Sequence, residues 1–299
     1  MRCIQPSGAT SHALSESGDM LIRYGYELEF FCPQPVTMVC ILDAHDDHAH
    51  QIRVLGAFRA DPYIPTLLYT DSFGNSCRRF VAPAGTLRIS RDSVFEGDGL
   101  TQEVAPYAHE VPVDDIPSPY LTYLLGSRYC ETDKLSDIAW GLFGNTPRGW
   151  ARVQAICDFV NQHLTFGYEY ARSTRTAYEA YQERVGVCRD FAHLAVAFCR
   201  CMNIPARYAN GFLGDIGVPR DPAPMDYNAW LEVYLGGRWY TFDARHNTPR
   251  IGRIKVACGR DATDIPLATS FGPHVLNTFK VWTDEVGEEV LNGQMLLPA

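Results

Sequence analysis

Gly236-Gly237 sits between two runs that alternate apolar and polar residues, NAWLEVYL (228–235) and RWYTFDA (238–244). A two-residue hairpin turn needs positive φ at its centre, and glycine adopts that without steric cost. Two strands joined this tightly have one register. Leu235 lies opposite Arg238, Leu231 opposite Phe242, and Asn228 opposite Arg245, with Asp243 its diagonal neighbour. Side chains alternate between faces, so Asn228 and Asp243 share a face with Trp230, Glu232, Tyr234, Trp239 and Thr241. Ala229, Leu231, Val233, Leu235, Tyr240 and Phe242 fill the other, mainly apolar face. A three-residue turn would break this register. If it holds, the hairpin presents an amide and a carboxylate side by side.

The first third of the chain reads as β. Tyr24, Tyr26, Leu28 and Phe30 alternate with polar residues and glycine, the period of a half-buried strand. Residues 36–42, 51–58, 65–71, 77–83 and 86–95 continue the series, and DSFGN (71–75) is a hairpin turn signal. Short strands at this spacing predict an antiparallel β-sandwich over 20–105, after a polar and flexible 1–19. The four prolines of 106–119 remove backbone donors and mark a linker. Helices are expected over 132–143 and over 146–164, where Thr146 can cap and Pro147 fits the first turn. Trp150, Val153, Ile156, Val160 and Leu164 share one face of the second. The domain expected over 120–299 thus mixes helices with the hairpin sheet, making the chain α+β.

A third helix is expected over GVCRDFAHLAVAFCRCMNIP (186–205), with Asn203 and Pro205 as stop signals. Gly186 places Cys188 at its N-terminus, where unpaired N–H groups and the helix dipole favour a thiolate. A cysteine there is a candidate nucleophile; the alternative is a buried structural cysteine.

Composition removes several classes. Lys+Arg is 26 against Asp+Glu 35, a net charge of −9, so no basic face is available for nucleic acid. No apolar run approaches the ~20 residues of a membrane-spanning helix, so no membrane partner is expected. The first twenty residues lack the apolar core of a secretory signal. The ten cysteines show no CxxC pair. Together these predict reduced thiols in the cytoplasm and no metal or other cofactor. DAHDDHAH (43–50) reads as a solvated loop rather than a metal site, because no ligand spacing stands out.

The run GVCRDFAHLAVAFCRCMNIPARYANGFL, followed by DYNAWLEVYLGGRWYTFDARHN, resembles the transglutaminase-like, cysteine-protease superfamily. The β-rich first third looks like the bacterial region that precedes this core, and IGRIKVACGRDATD (251–264) like a stretch found in one branch. The resemblance covers roughly 20–285. It implies a papain-like core with a Cys–His–Asp triad: Cys188 as nucleophile, Asp243 as the aspartate, and a histidine directly before Ala229-Trp230. That position is Asn228, and an amide cannot shuttle protons near pH 7. His246 is the candidate substitute base; in a continued strand it would face away, but the chain can turn at Thr248-Pro249. His193 is five residues past Cys188 and faces elsewhere on the helix. His109 and His274 are not placed. Trp230 and Tyr208 are expected to wall the site. The resemblance implies a peptidase or amidase, or an acyltransferase, acting on a peptide or amide-bearing substrate through a Cys188 thioester. Asn228 leaves open a catalytically inactive binding or scaffold protein. Free strand edges in the β domain leave pairing with a second copy open.

Overall fold

A computed structural model describes residues 20–291; the flexible N-terminus expected over 1–19 lies outside the described residues. β1 (Met20–Cys32) buries Tyr24, Tyr26, Leu28 and Phe30, as its alternation requires. It is paired on both edges, by β7 (Gly85–Gly97) and β15 (Val275–Val286), and β3 (Ile52–Val54) and β4 (Arg59–Asp61) extend the sheet along β7. The facing sheet runs β14 (Ala268–Ser270), β2 (Val36–Cys40), β6 (Ser76–Ala82), β5 (Thr66–Thr70). Val36, Met38, Phe80 and Ala82 from this sheet share one apolar core with the buried face of β1.

The DSFGN turn joins β5 and β6 as expected. The Asp71 carboxylate accepts the backbone N–H of Phe73 at 2.8 Å and of Asn75 at 2.9 Å, an Asx turn. One strand expected over 51–58 is instead broken into β3, a coil and β4. Gly56 explains the break: its backbone lies so close to Asp92 that a Cβ would fall 1.7 Å from the Asp92 carbonyl oxygen. The sandwich also draws β14 and β15 from beyond residue 260, so both ends of the described chain complete its two sheets.

The second unit packs α1 (Thr132–Phe143), α2 (Trp150–His163) and α3 (Ala177–Glu183) around α4 (Cys188–Cys201). α4 then lies on an antiparallel sheet, β12 (Arg238–Phe242), β11 (Asn228–Leu235), β10 (Ala206–Phe212), β13 (Ile254–Gly259). A short parallel pair, β8 (Thr165–Phe166) with β9 (Val185–Gly186), leads into α4. The architecture is α+β. Every residue of α4 from Asp190 to Cys201 is buried, the signature of a helix covered on all sides rather than along one stripe. α2 starts four residues later than expected: the Thr146 hydroxyl bonds the Phe143 carbonyl, and Gly149, at φ 81°, is the cap. α3 was not anticipated. Its signal is Thr176-Ala-Tyr-Glu179, a reciprocal capping box. The 106–119 segment holds a 3₁₀ turn, Val113–Asp115, with Ala108 and Ile116 buried, and a second turn, Ser118–Leu124, overlaps its end.

Candidate active site

The β11–β12 hairpin has the register that two central glycines dictate: Leu235 pairs with Arg238 and Leu231 with Phe242. Leu231, Val233, Leu235, Tyr240 and Phe242 face the helices, and the opposite face carries Asn228, Trp230 and Glu232.

Cys188 opens α4. The helix start is braced by Asp190, which accepts the Val187 N–H at 3.0 Å and is itself paired with Arg175 at 3.1 Å. Gly186 is required here, since a Cβ would meet the Asp190 Cβ at 2.6 Å. The Cys188 side chain borders a cleft of about 870 Å3 between the sandwich and the core, which Tyr208, Asp226 and Asn228 also line. The thiol is not the poised thiolate expected of a helix N-terminus: its pKa is raised to about 11. Burial is the main cause and the Asp226 and Asp243 charges add to it; Arg245 and the Ala229 N–H oppose it without prevailing. Among the described residues no imidazole is hydrogen-bonded to this sulfur.

Asn228, the first residue of β11, is fully engaged. Its amide N–H groups reach the Asp226 and Leu213 carbonyls at 3.3 and 3.5 Å, and its oxygen accepts Arg245 Nη1 at 3.1 Å. Arg245 in turn lies 3.8 Å over the Phe166 ring. Asp243 is buried just past β12. One oxygen accepts the Arg245 and His246 backbone N–H groups at 3.0 and 3.1 Å. The other accepts Arg253 Nη2 at 2.8 Å and faces His246 Nδ1 at 2.9 Å. Burial alone would raise its pKa, but Arg253 and His246 outweigh burial and hold the carboxyl well below the usual carboxylate range.

His246 is therefore not on a continued strand. The chain turns immediately after Phe242, Asn247 takes φ 51°, and the imidazole folds back onto Asp243. It borders a small pocket that shares Asp226 and Asn228 with the Cys188 cleft. Tyr208 borders the cleft; Trp230 does not. The Trp230 ring lies under the Arg253 guanidinium, 4.4 Å away, on a different cavity. Trp230 shares its sheet face with Asn228 but lies two residues further into β11, where it packs against Arg253. His193 is a buried core residue between Tyr129 and Tyr208, accepting the Ala262 N–H at 3.1 Å, and burial lowers its pKa to about 3. His274 borders the outer part of the cleft, bonded to Ser270 at 2.8 Å. In the 43–50 segment, Asp43 pairs with Arg78 and Arg91, and Asp47 with Lys255.

Two residues at the site escaped the reading of the sequence. Asp226, with its pKa raised by burial, carries the carboxylate that most elevates the thiol. Arg245 is the cation that opposes it. Their one signal is position, two residues before Asn228 and two after Asp243.

Among known proteins, residues 138–244 match the transglutaminase-like superfamily, a stretch that includes Cys188, Asn228 and Asp243 but stops short of His246. The chain is 28% identical to a "Putative Cysteine Protease from Cytophaga hutchinsonii" of known structure, over 91% of this chain and 92% of that one, with a TM-score of 0.80. It is also 37% identical over 84 residues to "Uncharacterized protein ML0607" of Mycobacterium leprae; that match spans 27% of this chain and 29% of the relative's length. No helix among the described residues is long and apolar enough to cross a membrane. Residues 138–244, which carry the Cys188 helix and the hairpin, thus match a transglutaminase-like domain.

Proposed function

We propose that the protein is a cysteine-dependent acyl hydrolase or acyltransferase in which Cys188 forms a thioester. The observation that carries this reading is the placement of the Cys188 thiol at a helix N-terminus on an 870 Å3 cleft, within electrostatic reach of the Asp243 carboxylate that holds His246. The sulfur attacks the carbonyl carbon, a C–S bond forms, and the C–O, C–S or C–N bond to the leaving group breaks. The thiol proton goes to the leaving group, and water or an amine then releases the acyl chain. The α4 N–H groups at Cys188 suit the developing oxyanion, and Tyr208 borders the acyl chain. With Asn at position 228, help from an imidazole worth ~10²–10⁴ in rate is missing at its usual place. Esters and thioesters, whose leaving groups need little protonation, are therefore better donors than peptides.

His246 supplies the remaining proton-transfer capacity, oriented by Asp243 as the third group of a triad is oriented. The test is a thioester or p-nitrophenyl ester assay with intact-mass detection of the acyl-enzyme. Turnover and a mass adduct on Cys188, both lost in Cys188→Ala, are the expected results. Turnover that survives this variant refutes the reading. A second reading, an inactive binding protein, is favoured by the raised thiol pKa and by the fully engaged Asn228 amide. It predicts neither adduct nor turnover with any donor.

A further inference from the structure

The sandwich leaves one sheet edge unguarded. β5 is hydrogen-bonded on one side only, by β6. An open edge is a template for another strand, and proteins blunt it with charge, proline, bulges or short strands. The other sandwich edges follow that rule. β3, β4 and β14 are three residues each, and β15 carries Lys280, Asp284 and Glu285. β5 reads TLLYT, five residues without a charge. Its surroundings are apolar and open to solvent: Tyr63, Leu67, Leu68, Tyr69 and Val81 are all exposed, Leu68 at 56%. Exposed apolar residues grouped in this way mark an interaction surface.

The direction of the backbone groups decides what can dock there. Asp71 donates its N–H to the Asn75 carbonyl at 3.1 Å, so these two residues are a hydrogen-bonded pair of the β5–β6 hairpin. Such pairs alternate along an antiparallel ladder, which makes Tyr69 with Cys77 and Leu67 with Arg79 hydrogen-bonded as well. Thr66, Leu68 and Thr70 lie between them. Their N–H and C=O groups point to the open edge, and none meets a backbone partner among the described residues. Pro65 does not guard this edge, because the same alternation puts its nitrogen on the β6 side.

This outward row is its own complement. Under a two-fold rotation about Leu68, a second β5 runs antiparallel to the first, with Leu68 opposite Leu68 and Thr66 opposite Thr70. Each opposed pair exchanges two hydrogen bonds, so every outward donor and acceptor of β5 is met. Leu67 of one copy falls opposite Tyr69 of the other, an aliphatic–aromatic cross-strand pair on the outer face.

We infer that the protein self-associates as a two-fold dimer through β5, joining the four-stranded sheets of two copies into one continuous sheet. β5 is the far edge from β14, which borders the Cys188 cleft, so the dimer does not depend on the chemistry proposed there.

Sedimentation equilibrium of the full chain, from micromolar to submillimolar concentration, tests this. The mass should rise with concentration from 33.5 kDa toward twice that value. Leu68→Lys sets two like charges opposite each other at the axis and should weaken association by about tenfold or more. Leu68→Glu should do the same. An equimolar mixture of the two variants should associate more tightly than either alone, because each lysine then faces a glutamate. Val275→Lys, at an exposed apolar position on β15, should leave association unchanged. Leu67→Lys, which removes the pair with Tyr69, is the fallback if the Leu68 variants do not fold by circular dichroism. A monomer at every concentration would leave the edge to a different protein and overturn the assignment. So would association unmoved in the folded β5 variants, a mixture no tighter than its parents, or a loss in Val275→Lys as large as that in Leu68→Lys.

Discussion

The thiol of Cys188 offers the sharpest test of how this site is built. With a pKa of about 11, roughly one molecule in a thousand carries the thiolate at pH 8, against about a quarter for an ordinary thiol at ~8.5. The deficit is about 240-fold. A more basic thiolate is intrinsically more nucleophilic, with a Brønsted slope of ~0.4–0.5, which returns about 13-fold across this pKa gap. Iodoacetamide should therefore alkylate Cys188 about 20-fold more slowly than a free thiol at pH 8. Its rate should climb nearly tenfold per pH unit from 8 to 10, read at the Cys188 peptide by mass spectrometry with the fold monitored by circular dichroism. Asp226→Asn removes the charge that most raises the thiol and should move the curve to lower pH. Arg245→Gln should move it to higher pH. Burial is the larger cause, so the Asp226→Asn thiol should still titrate above the ordinary value. A wild-type curve that levels off below pH 9, or an Asp226→Asn curve that moves the other way, would show that burial and Asp226 do not govern this sulfur.

Other expectations follow from the same geometry. Asn228→His puts an imidazole at the start of β11; amide hydrolysis should rise by ~10²–10⁴ over the parent in a peptide-anilide assay, and a folded variant without a gain would mean that residue 228 does not address the sulfur. Asp243→Ala strands the buried Arg253 charge and should cost ~3–5 kcal/mol in urea unfolding. Because the Asp243 carboxyl is held below its unfolded value near ~3.9, its contribution is fully present above that pH and is lost as pH falls through the folded value. The gap between wild type and Asp243→Asn should accordingly persist from pH 8 down to about 4 and close only below it; a gap that closes near neutrality would assign the pH dependence to another group. Thr176→Ala breaks the α3 capping box and should cost ~1 kcal/mol; no change would mean that the box contributes nothing to stability.

Local rules made much of this protein legible in its amino acids. Gly236-Gly237 dictated a two-residue turn, and with it the pairing of every residue in the β11–β12 hairpin, because side-chain parity admits no half-steps. Gly186, the helical spacing from Phe191 to Phe198, and Asn203 at φ 62° likewise delimited α4 and placed Cys188 at its start. Long-range effects were not legible. Whether the thiol ionises is a competition between a helix terminus, which sequence reveals, and burial beside Asp226, which it does not; desolvation won. The turn that brings His246 onto Asp243 is closed locally by the Arg245 and His246 N–H groups, but the Arg253 that holds the other carboxylate oxygen lies ten residues away, on the approach to another strand. The return of β14 and β15 to the sandwich is of the same kind, since a strand carries no mark of which distant edge it will pair with. Periodicity reports what each residue does to its neighbours in the chain. Which charges meet in a desolvated crevice is settled only when distant segments pack together.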